Sequence, residues 1–390
     1  MQDYQELYGS YVLPTYPRYS VSFAKGKGCR LWDADGKEYI DFASGIGVSS
    51  VGHAHPDWIA AITGQASVLA HTSNLFYSLP GGLLAQRLCA LSGMSGVFFS
   101  NSGAEANEGL IKVARKYSLA KYGEGRSTIL SLNGSFHGRT ITTLAATGQE
   151  RFHQNFGPFT PGFRHVSPND ITALKASGND VCALMLETIQ GEGGVNPLEV
   201  EYLKQAQAIC KERDWLLLLD EIQTGIGRTG HWFSFQGLDI QPDALSFAKG
   251  VAGGLPIGGF LVSEKLRGVL VPGDHATTFG GNLVCASAAL ATLDILEKAL
   301  PHVAEKGNYI RAKIEGMKLP LVDSVRGKGL MIGVKIAGVP PAEVNTKLLQ
   351  AGLVCLTAGT DVVRMLPPLV IGMEDIDAGL EIFKQVLKNY

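Results

Sequence analysis

Residues 215–230, WLLLLDEIQTGIGRTG, set four consecutive leucines ahead of two acids and a run of glycines. A half-exposed strand alternates apolar with polar residues, whereas an unbroken apolar run of this length suits a strand buried on both faces. Strands of that kind belong to parallel sheets covered by helices on either side. Asp220 and Glu221 then fall at the strand's carboxyl end, where open α/β sheets bind their ligands.

The same pattern recurs on both sides of this stretch. GVFFSNSG (96–103), TILSLNGSFHG (128–138), VCALMLETIQGEGG (181–194), ALSFAKG (244–250) and GGFLVSE (258–264) are short apolar runs that end in polar residues or glycine. Segments of helical period separate several of them, with Leu110, Ala114 and Tyr117 on one face and Leu203, Ala206 and Cys210 on another. Strand alternating with helix predicts the α/β class, with a mostly parallel central sheet. Ser102, His137, Glu187, Asp220 and Lys249 all fall at strand ends, so one cleft could hold them.

The flanks read differently. CRLWDADGKEYIDF (29–42) alternates around an Asp-Gly turn like a hairpin, and residues 321–390 mix short strands with helix patterns near 341–351 and 374–389. The expected organisation is a small α+β domain built from residues 1–50 and 281–390, flanking a large domain at 51–280. A long apolar helix over about 282–298 would join them.

Composition narrows the function. The chain has 390 residues, 45% hydrophobic and 18% charged, which fits a folded enzyme and is too apolar for a disordered chain. A net charge of −2 without a dense basic cluster argues against nucleic acid and points to small-molecule partners. Cys29, Cys89, Cys182, Cys210, Cys285 and Cys355 form no C-x-x-C pair and read as buried thiols. The opening MQDYQELYGSYVLP lacks the basic start and apolar core of a signal peptide, and no run approaches a membrane span. The expectation is a cytoplasmic protein with no membrane partner.

Three elements carry chemistry. In FFSNSGAEANE a strand turns through Asn101–Gly103 into a helix, whose free first-turn amides suit a phosphate; an ordinary serine-capped helix reads the same way. Asp220 could cap its strand, bind a metal or face a cationic ring nitrogen. The metal reading lacks a ligand set, since His53 and His55 alone do not supply one. Lys249, alone between the apolar run and GVAGG, is either a snorkelling surface lysine or a desolvated amine whose lowered pKa makes it a nucleophile toward aldehydes. Together a phosphate cradle, a strand-end aspartate and a strand-end lysine describe a pyridoxal 5'-phosphate site.

These residues stand in motifs that resemble a known family. WDADGKEYIDFASGIGVSSVGHAHP, HTSNLFY, NSGAEANE, SFHGRT, ETIQGEGG, LDEIQTGIGRTG, FAKG, HATTFGGN and VVRMLPPLVI occur in the order found in class III (ornithine-type) aminotransferases. The chain resembles most closely the acetylornithine branch of that family. The resemblance implies the aspartate aminotransferase-like fold type I and pyridoxal 5'-phosphate as cofactor. Lys249 would form the Schiff base and later carry a proton to and from substrate, and Asp220 would keep the pyridine nitrogen protonated. Gln223 would reach the phenolic oxygen, Phe136 would stack on the ring, and Ser102, Gly103 and Ala104 would hold the phosphate. His137 is grouped with these cofactor-binding residues. Thr278 would complete the phosphate site of a neighbouring subunit, which implies a homodimer with shared active sites.

The resemblance also assigns the substrate groups. Arg364 would bind the α-carboxylate of glutamate or 2-oxoglutarate, and Arg139 the distal carboxylate of glutamate or the α-carboxylate of the amine donor. Glu192 would pair with Arg364 while an ω-amine is bound. Glu187, followed by Thr188 where many relatives have proline, is read as supporting the site from behind. Ile46 stands where ornithine enzymes carry a tyrosine for the free α-amino group, so an acylated nitrogen fits better. Asn74 and Phe76 would line the side-chain pocket.

The implied reaction moves the δ-amino group of N-acetylornithine to 2-oxoglutarate, a step of arginine biosynthesis. Succinylornithine, succinyldiaminopimelate, acetyl-lysine, ornithine and 4-aminobutyrate remain alternative donors, because acyl selectivity can hinge on contacts worth only ~1–3 kcal/mol. A pyridoxal phosphate aminomutase shares the lysine but would need no 2-oxo acid acceptor. A nicotinamide-dependent dehydrogenase would need a G-x-G-x-x-G after an early strand, which is missing.

Overall fold

The computed structural model describes residues 4–390; residues 1–3, where the segment assigned to the small domain begins, lie outside the described residues. The apolar runs form a seven-stranded sheet in the spatial order Gly96–Ser100, Gly258–Val262, Ala244–Phe247, Leu216–Asp220, Val181–Leu186, Thr128–Leu132 and Phe163–Val166. Gly258–Val262 runs antiparallel to both neighbours, and the other pairs are parallel. The chain between Phe247 and Gly258 is shorter than the dozen or so residues a parallel crossover needs, so it doubles back.

The four leucines are divided between two cores, as a pleated strand requires. Leu216 and Leu218 pack with Leu110 and Ala114 of the Gly103–Tyr122 helix. Leu217 and Leu219 belong to the larger core, with Leu203 and Ala206 of the Val200–Glu212 helix. At about 25 cal/mol per Å² of apolar surface removed from water, this two-sided burial is what holds the sheet in place.

Two four-stranded sheets flank the central one. Phe23–Lys27, Arg30–Asp33 and Glu38–Asp41 form antiparallel pairs, and Leu353–Val354 joins the last of them in parallel. The N-terminal hairpin and the C-terminal chain therefore share one sheet. The second sheet orders Val322–Lys328, Met331–Ile336, Val362–Met365 and Leu356–Ala358, all antiparallel.

Three local expectations need correction. The connecting helix runs from Leu283 to Gly316 and passes through Pro301, beyond the expected end near 298. Val303, Gly307, Ile310 and Ile314 continue its buried stripe, and that burial outweighs the hydrogen bond lost at the proline. The edge strand Phe163–Val166 escaped the sequence reading because Arg164 and His165 interrupt any apolar run. Cys89 is only half-buried, unlike the other five cysteines. Among the described residues, no helix is long and apolar enough to cross a membrane.

Candidate active site

The strand ends converge on one cavity of about 430 Å³. Its lining includes Ser102, Gly103, Ala104, Phe136, His137, Arg139, Glu187, Glu192, Asp220, Gln223 and Lys249, which places most of the sequence-derived residues around a single space. Larger cavities lie along the Gly103–Tyr122 helix and under the N-terminal segment, at about 510 and 1020 Å³. Neither contains a lysine facing buried carboxylates, so chemistry rather than size picks the site.

Asp220 is 4% exposed and held on both oxygens. Its Oδ1 accepts from the Ile222 N–H at 3.1 Å, while Oδ2 accepts from Asn107 Nδ2 at 2.8 Å and lies 2.8 Å from His137 Nδ1. An acceptor-only carboxylate is satisfied when the hydrogen sits on Nδ1, leaving His137 Nε2 buried without a partner. Sequence reading missed Asn107, which also donates to the His137 carbonyl at 2.7 Å. The available signal was a polar residue of poor helix propensity inside a helix, on the turn after the Ser-Gly start.

Ser102 caps the Gly103–Tyr122 helix, its Oγ accepting from the Glu105 N–H at 3.2 Å. The first-turn amides of Gly103 and Ala104 have no acceptor within the helix and border the cavity. A Cβ on Gly103 would meet Ile222 at 2.8 Å, so the turn sits tight against the chain that follows Asp220.

Lys249 follows the strand beside Asp220, whose register partner is Ser246. Its φ of +36° is a left-handed conformation that a lysine adopts only when the surroundings impose it. Among the described residues it makes no hydrogen bond or salt bridge. Burial pushes its amine below the ordinary lysine value, and Arg364 acts the same way, against the pull of Glu192, Asp220 and Glu187.

Glu187 lines the cavity itself rather than standing behind it, a correction to the sequence reading. Burial pushes its carboxyl well above the usual range and Asp220 adds to this, with Lys249 opposing; its Oε2 is buried without a partner. Glu192 behaves oppositely. Burial raises it, but Arg364 and Lys249 together with hydrogen bonds from Arg364 and Gln223 outweigh that effect and hold it below the usual value.

Arg364 is 2% exposed and is not part of the cavity lining. Its Nη1 donates to Glu192 Oε1 at 2.7 Å and to Gln223 Oε1 at 3.0 Å, and both partners do line the cavity. Its Nε is buried and unpartnered. Glu192 and Gln223 thus screen a guanidinium that still has a donor to offer.

Besides Arg364, four assigned residues lie outside this lining. Ile46 is 44% and Phe76 69% exposed, Thr278 is exposed, and Asn74 donates to the Thr277 and Gly280 carbonyls at 3.2 and 2.9 Å. Val48, which sequence reading passed over, takes the lining position near Ile46. Arg139 is at the lining but exposed, its guanidinium 3.9 Å from the Phe152 ring centre. His53 Nε2 lies 2.7 Å from Asp41 Oδ2.

Residues 12–387 match the family described as Aminotransferase class-III. The chain is 51% identical over 389 residues to an acetylornithine aminotransferase of Haemophilus ducreyi, covering 99% of this chain and 98% of that one. Among solved structures, ornithine aminotransferase of Toxoplasma gondii, with partial occupancy of PLP at its active site, superposes with a TM-score of 0.94 at 33% identity, covering 99% of this chain and 94% of that one. Acetylornithine aminotransferase of Elizabethkingia anophelis gives a TM-score of 0.88 at 32% identity, with 99% and 98% covered. With a family match across nearly its whole length and the fold of solved aminotransferases, this chain belongs to the class III aminotransferases.

Proposed function

We propose that the protein transfers the δ-amino group of N-acetylornithine to 2-oxoglutarate, giving N-acetylglutamate 5-semialdehyde and glutamate, as a step of arginine biosynthesis in the cytoplasm. The carrying observation is Lys249: a strained amine, without a partner among the described residues, facing a cavity with a fixed carboxylate, Asp220, on one wall and free helix amides on another. The curated relative that shares 51% identity carries the same activity in its name.

The cavity suits pyridoxal 5'-phosphate, the cofactor of class III aminotransferases. Lys249 would take the aldehyde, Asp220 the ring nitrogen, and Ser102, Gly103 and Ala104 the phosphate; Phe136 would cover the ring face, with His137 supporting Asp220 and Gln223 near the phenolic oxygen. When bound, the cofactor supplies an electron sink for the carbon that loses its proton. The chain's own part is acid–base work and positioning. Burial lowers the Lys249 pKa and so favours the neutral amine, the form that can take that proton and return it. Asn107 and His137 fix the direction of the Asp220 carboxylate, so no reorganisation is needed when positive charge lies opposite it.

Two arginines would sort the substrates. Arg139, at the mouth, would take the carboxylate distant from the reacting carbon, and Arg364 the α-carboxylate of glutamate or 2-oxoglutarate once Glu192 yields. Ile46, Asn74 and Phe76 would close the donor's side-chain pocket from the rim. An apolar Ile46 leaves a free α-ammonium without a partner and so favours the acetylated donor.

The catalytic unit would be a homodimer. Leu75, Phe76 and Tyr77 are 88%, 69% and 107% exposed in sequence, and Phe279 is 61% exposed, large apolar side chains of the kind that mark an interface. Asn74 ties this segment to the 277–280 loop that carries Thr278, which would reach the neighbour's phosphate site. In domain terms, residues 51–280 would form the cofactor-binding unit, and 1–50 with 281–390 the smaller one.

The test is a mixture of purified protein, N-acetylornithine and 2-oxoglutarate, with borohydride reduction in parallel. Glutamate should appear only when both substrates are present, and reduction should fix the cofactor to Lys249. Turnover without a 2-oxo acid would favour the aminomutase reading, and a protein unchanged by pyridoxal 5'-phosphate would overturn the transaminase reading.

A further inference from the structure

We infer that Arg326 is a positioning residue for Glu192, and that one rung of the C-terminal sheet sets how readily the Glu192–Arg364 pair opens to a dicarboxylate. This rests on the transaminase reading above. In register, Arg326 lies opposite Gly333, and Gly333 lies opposite Arg364. Directly opposed residues of antiparallel strands put their side chains on the same face, so the two arginines stand on one side of the sheet with a bare backbone between them.

The loop that carries Glu192 lies across this rung. Arg364 holds the Glu192 carboxylate at 2.7 Å, and Arg326 donates from both Nε and Nη2 to the Gly194 carbonyl at 3.0 and 2.8 Å. Val195 sits over the gap: a Cβ on Gly333 would meet the Val195 Cβ at 2.8 Å. Val195 is fully buried at a φ of +54°, a conformation that a β-branched residue rarely adopts. Gly194 beside it has a φ of +119°, and the Gly359 N–H donates to the Glu192 carbonyl at 2.9 Å. A strained segment persists only where its surroundings over-determine it, and strain of this kind gathers at sites that must switch. Here the surroundings are the Arg326 fork and the seat over Gly333.

The consequence is a specificity device. A donor that presents no carboxylate to Arg364 leaves the pair closed, and a dicarboxylate must displace Glu192 to reach the guanidinium. Holding the loop by its backbone raises the cost of that displacement. Weakening the hold should favour dicarboxylates and disfavour the amine donor, without touching Lys249 or Asp220.

The test uses holoenzyme with R326Q, E192Q and the double variant. Each is assayed in both half-reactions and titrated calorimetrically with glutarate, a dicarboxylate without amine or oxo group. In R326Q the ratio of kcat/KM for N-acetylornithine to that for 2-oxoglutarate should fall about five- to ten-fold, with glutarate binding tighter by a similar factor, as losing two guanidinium hydrogen bonds implies. Added to E192Q, R326Q should change neither quantity further, because the loop then has no charge to place. An unchanged ratio in R326Q, or an undiminished effect on the E192Q background, overturns the proposal. If R326Q does not fold, Gly333→Ala displaces Val195 from the other side, and the same two outcomes decide. Wild-type protein inactive toward N-acetylornithine refutes the donor assignment alone, since the glutarate arm needs no donor.

Discussion

His137 and Asp220 meet at 2.8 Å through Nδ1 and Oδ2, both nearly inaccessible to solvent, so the carboxylate is aimed before any ligand arrives. Asp220→Asn keeps the shape and removes the charge. Loss of a charge aimed at the reacting system should lower kcat by at least ~100-fold, with the cofactor's absorbance retained at saturating pyridoxal 5'-phosphate. A loss below about tenfold in single-turnover measurements would contradict the role given to this aspartate.

Asn107 is the other clamp on the same oxygen, at 2.8 Å, and it also satisfies the His137 carbonyl. Asn107→Leu, of similar volume, removes both donors and leaves a buried carbonyl unpaired, at a cost of about 2 kcal/mol. The thermal midpoint should fall and kcat should drop by about tenfold, an effect of ~1.4 kcal/mol on the transition state. Unchanged kcat in a folded variant would show that His137 and the Ile222 N–H suffice to orient Asp220.

Glu187 gives a pH signature. Its folded pKa lies above the ordinary carboxyl value of 4.5, so between the two values the folded chain binds more protons than the unfolded one. Stability contributed by the protonated group is complete below the unfolded pKa and declines as pH rises toward the folded one. Glu187→Gln mimics the protonated form and removes that decline. Its thermal midpoint relative to wild type should rise as pH climbs above the ordinary carboxyl value of 4.5, and a constant difference would show that Glu187 is ionised in the fold.

Gly109 tests the packing under the site. A Cβ there would meet the Phe260 ring at 2.1 Å, where the Gly103–Tyr122 helix presses on the antiparallel strand. Gly109→Ala should destabilise the protein by ~1–3 kcal/mol as over-packing, measured as a fall in the thermal midpoint. The KM values of the folded fraction should stay within about two-fold, because the residue faces the core rather than the cavity.

The parts of this protein that were legible in its sequence are those where local pattern and tertiary outcome coincide. The Leu216–Leu219 run suited a strand covered on both faces, which it is, and its end placed Asp220. Lys249 and the Ser102–Ala104 turn followed by the same logic of strand ends. Asn107 left only a weak signal, because a polar residue in a helix looks like a surface residue until the Asp220 strand is laid beside it. The Arg326–Gly333–Arg364 rung joins residues brought together only by sheet register. The helix through Pro301 was hidden for a third reason: its continuation depends on burial against other elements, which a local breaker rule does not see.

The most direct measurement is kcat/KM for a panel of amine donors with 2-oxoglutarate: N-acetylornithine, succinylornithine, ornithine, acetyl-lysine, succinyldiaminopimelate and 4-aminobutyrate. N-acetylornithine should lead and exceed ornithine by at least ~100-fold, the discrimination expected when a free ammonium would lie unpaired in the donor pocket. Ornithine or 4-aminobutyrate as the best donor would contradict it.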